Sequence, residues 1–163
     1  LDQPFYAEAQ QDIDRWSQLI FDLALGRAEQ RDYEGAIVAA QLFPKDRANS
    51  KEVEKWIANW QTLSQQQQTN RASLDQAQAL IRRNSASSYS KAINIAKQIP
   101  EGQPQFFEAQ RLIGTWSSKI LEIAETRAGQ GQYQGAIQAA ALIPPEMPHY
   151  QVAQTRIRTW QGE

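Results

Sequence analysis

Apolar side chains recur along this chain at the offsets of a single helical face. Four tryptophans, Trp16, Trp60, Trp116 and Trp160, each have an isoleucine three residues before them: Ile13, Ile57, Ile113 and Ile157. Seven before stands Ala9, Val53, Ala109 or Ala153, and ten before stands Tyr6, Ser50, Phe106 or Tyr150. Those offsets share one stripe of an α-helix. The stripe runs on through Ile20, Ala24 and Ala28, and through Ile120, Ala124 and Ala128. This predicts a long first helix of about 24 residues. A short polar turn follows, Glu29 to Asp32 or Gly129 to Gln132. Tyr33, Ala36, Ile37, Ala40 and Phe43 then predict a shorter second helix, closed by Pro44, because proline disfavours a helical residue before it. Pro4, Pro104 and Pro148 each stand twelve positions before a tryptophan and are expected in the first turn of the long helix. No segment alternates like a strand for more than a few residues.

The landmarks repeat at fixed intervals. Tyr33, Tyr89 and Tyr133 each precede a proline (Pro44, Pro100, Pro144) by eleven positions, and each proline precedes the next tryptophan by sixteen. Tryptophan to tyrosine is seventeen positions in the first and third blocks and twenty-nine in the second. The unit is therefore forty-four positions long, and the second carries twelve more. The units span approximately 4–44, 45–100 and 101–144, with a half unit at 145–163. Helix–turn–helix units of fixed length stack into an α-solenoid. The fold class expected is all-α, a single helical-repeat domain over 1–163 without a β-sheet. Large Trp and Ile side chains would fill the space between helices that small alanines let approach. On this reading Trp16, Trp60 and Trp116 are buried.

The twelve extra positions fall around Ser64 to Gln76. Leu63, Leu74, Ala77 and Ile81 keep one stripe, and neither Gly nor Pro occurs from position 46 to 99. Both features favour one continuous helix from about Ala48 to Arg83. Ser73-Leu74-Asp75-Gln76 resembles a capping box that would start a new helix. Continuity is the expectation, with Gln65 to Asn70 exposed and the insertion removable without loss of folding. The chain ends midway along a first helix, so a fragment of a longer protein is expected. Val152, Ile157 and Trp160 would then be half covered, open to self-association through the truncated C-terminal repeat.

Gly131-Gln132-Tyr133-Gln134-Gly135-Ala136-Ile137, with Ala140 and Pro144, resembles the middle and end of a tetratricopeptide repeat (TPR). Tyr33, Ala36, Ile37 and Pro44 match likewise, as do Tyr89, Ala92, Ile93 and Pro100. The departures are a unit longer than that family's, a longer first helix and a glycine before the turn only at Gly131. The resemblance implies a divergent TPR-like α-solenoid and, by analogy, a protein-binding scaffold. The glutamine-rich, cysteine-free composition is also similar to helical repeats of large multi-repeat cyanobacterial proteins.

Composition narrows the chemistry. With 17 basic and 18 acidic residues and a net charge of −1, the chain lacks the basic surplus of a nucleic-acid module. It has no cysteine and one histidine, His149, which removes disulfides, thiolate catalysis and multi-histidine metal sites. No apolar run is long enough to span a membrane. The opening Leu-Asp-Gln-Pro has no basic region or apolar core, so no leader is expected; the compartment stays open, with the cytoplasm favoured. His149 beside Pro148 has no nucleophile motif around it and is expected to be an exposed loop residue. No phosphate loop, dinucleotide fingerprint or metal motif occurs. No catalytic residue, metal or cofactor is expected.

The candidate binding residues are Arg27, Arg83, Arg127 and Trp56. The arginines each stand six residues before the repeat tyrosine. They form either a row of cations able to hold carboxylates or cations in the last helical turn, favourable with the helix dipole. Trp56 lies one turn before Trp60, where other units have Asp12, Leu112 or Arg156; it flanks the core or stands out as a contact residue. The four repeat tryptophans could form an aromatic ladder, but their spacing favours a core. The function expected is a non-catalytic scaffold that binds a protein or peptide or spaces domains. The alternatives are a sensing domain for a peptide or small ligand, and a regulatory segment attached to an enzyme.

Overall fold

The fold was described from a computed structural model, which places residues 5–162. Among these the chain forms seven helices and no strand: α1 (Tyr6–Glu29), α2 (Tyr33–Ala40), α3 (Ser50–Ala79), α4 (Ala86–Ala96), α5 (Phe106–Gly129), α6 (Tyr133–Ala140) and α7 (Tyr150–Gln161). The two first helices α1 and α5 are each 24 residues long and are each followed by an eight-residue helix. Pro4 lies outside the described residues. Pro104 and Pro148 stand two residues ahead of α5 and α7 rather than within their first turns. The chain enters these helices through a turn instead: the Phe106 and Tyr150 N–H groups donate to the Gln103 and Met147 carbonyls.

The short helices also end earlier than the apolar spacing predicts, at Ala40, Ala96 and Ala140, four residues before each proline. The remaining residues wind on with tighter bonds. Leu42 and Phe43 donate to the carbonyls three residues back, at 3.1 and 3.0 Å, and Leu142 and Ile143 do the same at 3.0 and 3.2 Å. Such bonds satisfy carbonyls that the α-helix leaves open at its end. Segments 41–49, 97–105 and 141–149 all follow the same succession of turns, with proline fourth in each.

The chain divides into two compact units, Leu1–Gln66 and Gln67–Glu163. In the first, α1 packs on α2, and Ala24, Ala36, Ala39, Ala40, Val53 and Trp60 form the buried core. In the second, α4 packs on α5, α5 on α6, and α6 on α7. Its core is built on Ile93, Ile113, Trp116, Ile120 and Ile143, with alanines at the close approaches.

The helix α3 is continuous, as the unbroken stripe predicts, although it stops at Ala79, short of Arg83. Ser73 starts no new helix; its hydroxyl donates back to the Thr69 carbonyl at 3.1 Å. The insertion is only partly solvated. Gln65, Gln68 and Thr69 are exposed as expected, but Gln66 and Gln67 are half-buried and Asn70 is buried (8% exposed), as is Ser64 just before the stretch. The Asn70 side-chain amide donates to the Pro104 carbonyl at 2.9 Å and to Gln103 Oε1 at 3.1 Å. One turn on, Leu74 and then Ala77 enter the core of the second unit. The segment leading into α5 thus gives the inserted turns something to pack against.

At the start of α2, Asp32 caps the helix by accepting the Gly35 N–H at 3.0 Å. A β-carbon on Gly35 would lie 2.0 Å from that carboxylate, whereas the nearest atom to one on Gly135 is 3.7 Å away. Gly135→Ala should therefore stabilise the second unit by about 0.5–1 kcal/mol, the helical preference for alanine over glycine. Gly35→Ala should gain about 1 kcal/mol less, because it displaces the cap. Urea denaturation of the two variants measures the difference.

Candidate functional site

The three repeat arginines do not form one row. Arg27 and Arg127 occupy the last turn of α1 and α5. Each half-buried guanidinium reaches over the hairpin turn to a glycine carbonyl eight residues on: Arg27 Nη1 to Gly35 at 3.2 Å and Arg127 Nη1 to Gly135 at 3.1 Å. Arg127 Nη2 also approaches the Asn84 carbonyl at 3.4 Å. The two arginines latch the long helix to the short one, each a cation at the C-terminus of its own long helix, where that helix's dipole favours it.

Arg83 is different. It lies in the turn between α3 and α4, outside any helix, and is exposed. Its six-residue spacing from Tyr89 is preserved, but α3 ends ten residues before that tyrosine, while α1 and α5 end four before theirs. Here the turn is set by serine. Ser88 Oγ accepts the Arg82 N–H at 3.0 Å and donates to the Ser85 carbonyl at 2.8 Å, and Asn84 takes a left-handed conformation at φ 61°. Arg127→Ala should cost the second unit about 1 kcal/mol, a charged hydrogen bond discounted for its half exposure. Arg83→Ala should stay within about 0.5 kcal/mol of the parent chain. Thermal unfolding of the pair separates latch from surface cation.

Trp56 stands partly exposed (39%), with its ring 5.8 Å from that of Trp60 and tilted 34° to it. It borders an open depression with Asn49, Glu52, Lys55 and Asn59. Trp56 thus flanks the core against the buried Trp60 and stands partly in solvent. In the second unit, Glu125, Tyr133, Arg156 and Trp160 border another open depression, within which Arg156 Nε donates to Glu125 Oε1 at 3.0 Å.

His149 is half-buried at the start of α7, rather than an exposed loop residue, and its Nδ1 is enclosed without a hydrogen-bond partner among the described residues. Nearby, Glu146 pairs with Lys97, whose ammonium donates to the carboxylate and holds its pKa below the usual range. On α7, Ile157 and Trp160 are half-buried, as expected of a last repeat without a following unit, while Ala153 is buried and Val152 is exposed.

The largest departure from the sequence-based reading is on α1. Trp60 and Trp116 are buried, at 2% and 4% exposure, but Trp16 is 59% exposed. Leu19 and Leu23, at the next positions of the same face, are exposed with it, as is Phe5 just before the helix. Position by position, α5 shows what α1 lacks. Ala109, Ile113 and Ile120 are buried, whereas Ala9 is exposed and Ile13 and Ile20 are half-buried. The face of α5 that carries Trp116 is packed by α4, and among the described residues no helix precedes α1. Periodicity found this stripe; it carried no information about the missing neighbour.

Among the described residues, no group of acidic or histidine side chains is placed to hold a metal ion, and no helix is long and apolar enough to cross a membrane. Comparison of the chain with protein-family models, with curated proteins and with solved structures gave no match.

Proposed function

We propose that this chain is a non-catalytic scaffold of TPR-like helical repeats that works by holding another protein. The observation that carries this reading is the row Phe5, Trp16, Leu19 and Leu23, four large apolar side chains exposed along one face of α1. An exposed apolar row on a well-formed helix has a hydrophobic cost in water, which a partner surface would relieve. Support also comes from the helix pair α1–α2, closed by the Arg27 latch, on which that face is presented. Trp56 adds a second aromatic contact on the same compact unit.

Immobilised chain should capture a discrete protein from an extract of the source cells, and a Trp16→Gln, Leu23→Gln variant with unchanged circular dichroism should lose it. Equal capture by both chains, or no specific capture by either, would overturn the reading.

A further inference from the structure

Trp16 belongs to a set of four tryptophans at one repeat position, and the other three are preceded by a short helix rich in alanine. Trp60 shares its core with Ala36, Ala39 and Ala40 of α2. Trp116 shares its core with Ala92, Ile93 and Ala96 of α4, which packs on α5. Trp160 packs against the core that contains Ala139 and Ala140 of α6, which packs on α7. In each case a proline follows the helix and stands sixteen positions before the tryptophan, at Pro44, Pro100 and Pro144. Alanine is needed because a bulky indole and a neighbouring helix backbone can both fit only where the facing residues are small.

Resting on the scaffold reading above, we infer that the α1 face around Ile13, Trp16 and Ile20 is the docking site for a short alanine-rich helix of the kind that precedes the other three tryptophans, presented by the partner protein. A second intact copy of the chain has no such helix to lend: the alanines of α2, α4 and α6 are already buried, each at 4% exposure or less. Nor does an arbitrary amphipathic helix suit the site, since leucine or phenylalanine facing Trp16 would hold the backbones apart. Equivalent contacts occur elsewhere in the fold, α4 on α5 and α6 on α7, although Lys119, at the position of Leu19, stays exposed on α5.

The test adds that helix. A second copy of residues 129–144 fused directly before Leu1 places its closing proline sixteen positions ahead of Trp16, the spacing of the other three. Hydrogen exchange of the α1 amides around Trp16 should slow by at least about tenfold relative to the parent chain. Two controls should remove the protection: Ala136→Gln, Ala139→Gln and Ala140→Gln made only in the added copy, and Trp16→Gln made in the fused chain. Unchanged exchange in the fusion, or equal protection by the glutamine-bearing copy, overturns the inference. Sedimentation of the unfused chain supplies a further outcome. A concentration-dependent dimer that Trp16→Gln abolishes would make the occupant a second copy and would also overturn it. Failure of the fusion while the capture experiment succeeds leaves the scaffold reading standing with a different partner. Failure of capture with a protected fusion does the reverse.

Discussion

Replacing Trp116 with alanine should cost the second unit roughly 3–5 kcal/mol, the range for truncating a large aromatic in a packed core. The same change at Trp16 should cost less than about 1 kcal/mol, as expected of an exposed side chain. The two residues occupy one repeat position, on helices of identical length, each three residues after an isoleucine. Any difference in cost therefore reports the neighbours. Trp116 loses its contacts with a core that includes α4 and α6 residues, whereas Trp16 is 59% exposed already. Urea denaturation followed by far-ultraviolet circular dichroism gives both values. Similar losses at the two sites would mean that Trp16 is covered in solution, and that the exposed face of α1 does not exist there.

Leu74→Ala should destabilise the second unit by about 2–5 kcal/mol, although the residue lies in a stretch that the repeat spacing marks as inserted. Leu74 is 3% exposed within the second core, and Asn70, one turn earlier, holds the Gln103–Pro104 segment by two hydrogen bonds. Deleting residues 65–76 should go further and abolish cooperative unfolding of the second unit. It removes both side chains, and twelve residues are not a whole number of helical turns. The helix beyond the junction would be rotated by about 120°, which aims Ala77 away from its present partners. This reverses the tolerance that the shorter tryptophan-to-tyrosine spacing of the other units suggests. A shortened chain that melts as sharply as the parent, with native protection of α5, would show that the insertion is dispensable after all.

The arginines illustrate how far spacing alone carries. Arg27 and Arg127 were legible as cations in a last helical turn, and they are; that they donate to the Gly35 and Gly135 carbonyls required the hairpin to be closed. Arg83 keeps the spacing and loses the role, because Ser85 and Ser88 build a different turn and α3 ends early. A cue was present in the sequence: the serine cluster Ser85, Ser87 and Ser88 has no counterpart in the other units. Asn70 offered a weaker cue. A lone asparagine after a glutamine run reads as solvent-facing until the segment it binds is folded beside it.

What the sequence determined by itself is everything that depends on neighbours along the chain. The helical period placed the apolar face of each long helix, the polar stretches placed the hairpin turns, and the prolines marked the ends of the three short helices to within a few residues. These are local because helix hydrogen bonds, caps and turns join residues at most a few positions apart. The tertiary structure decided which of those faces are covered. A stripe of Ile and Trp is written identically on α1 and α5, yet α4 covers one, while on the other Trp16 is exposed and Ile13 and Ile20 are only half-buried. It also made Leu74 and Asn70 part of a core and left Arg83 in solvent. Burial is a property of pairs of surfaces brought together across long sequence separations, and a periodic pattern specifies only one surface of each pair.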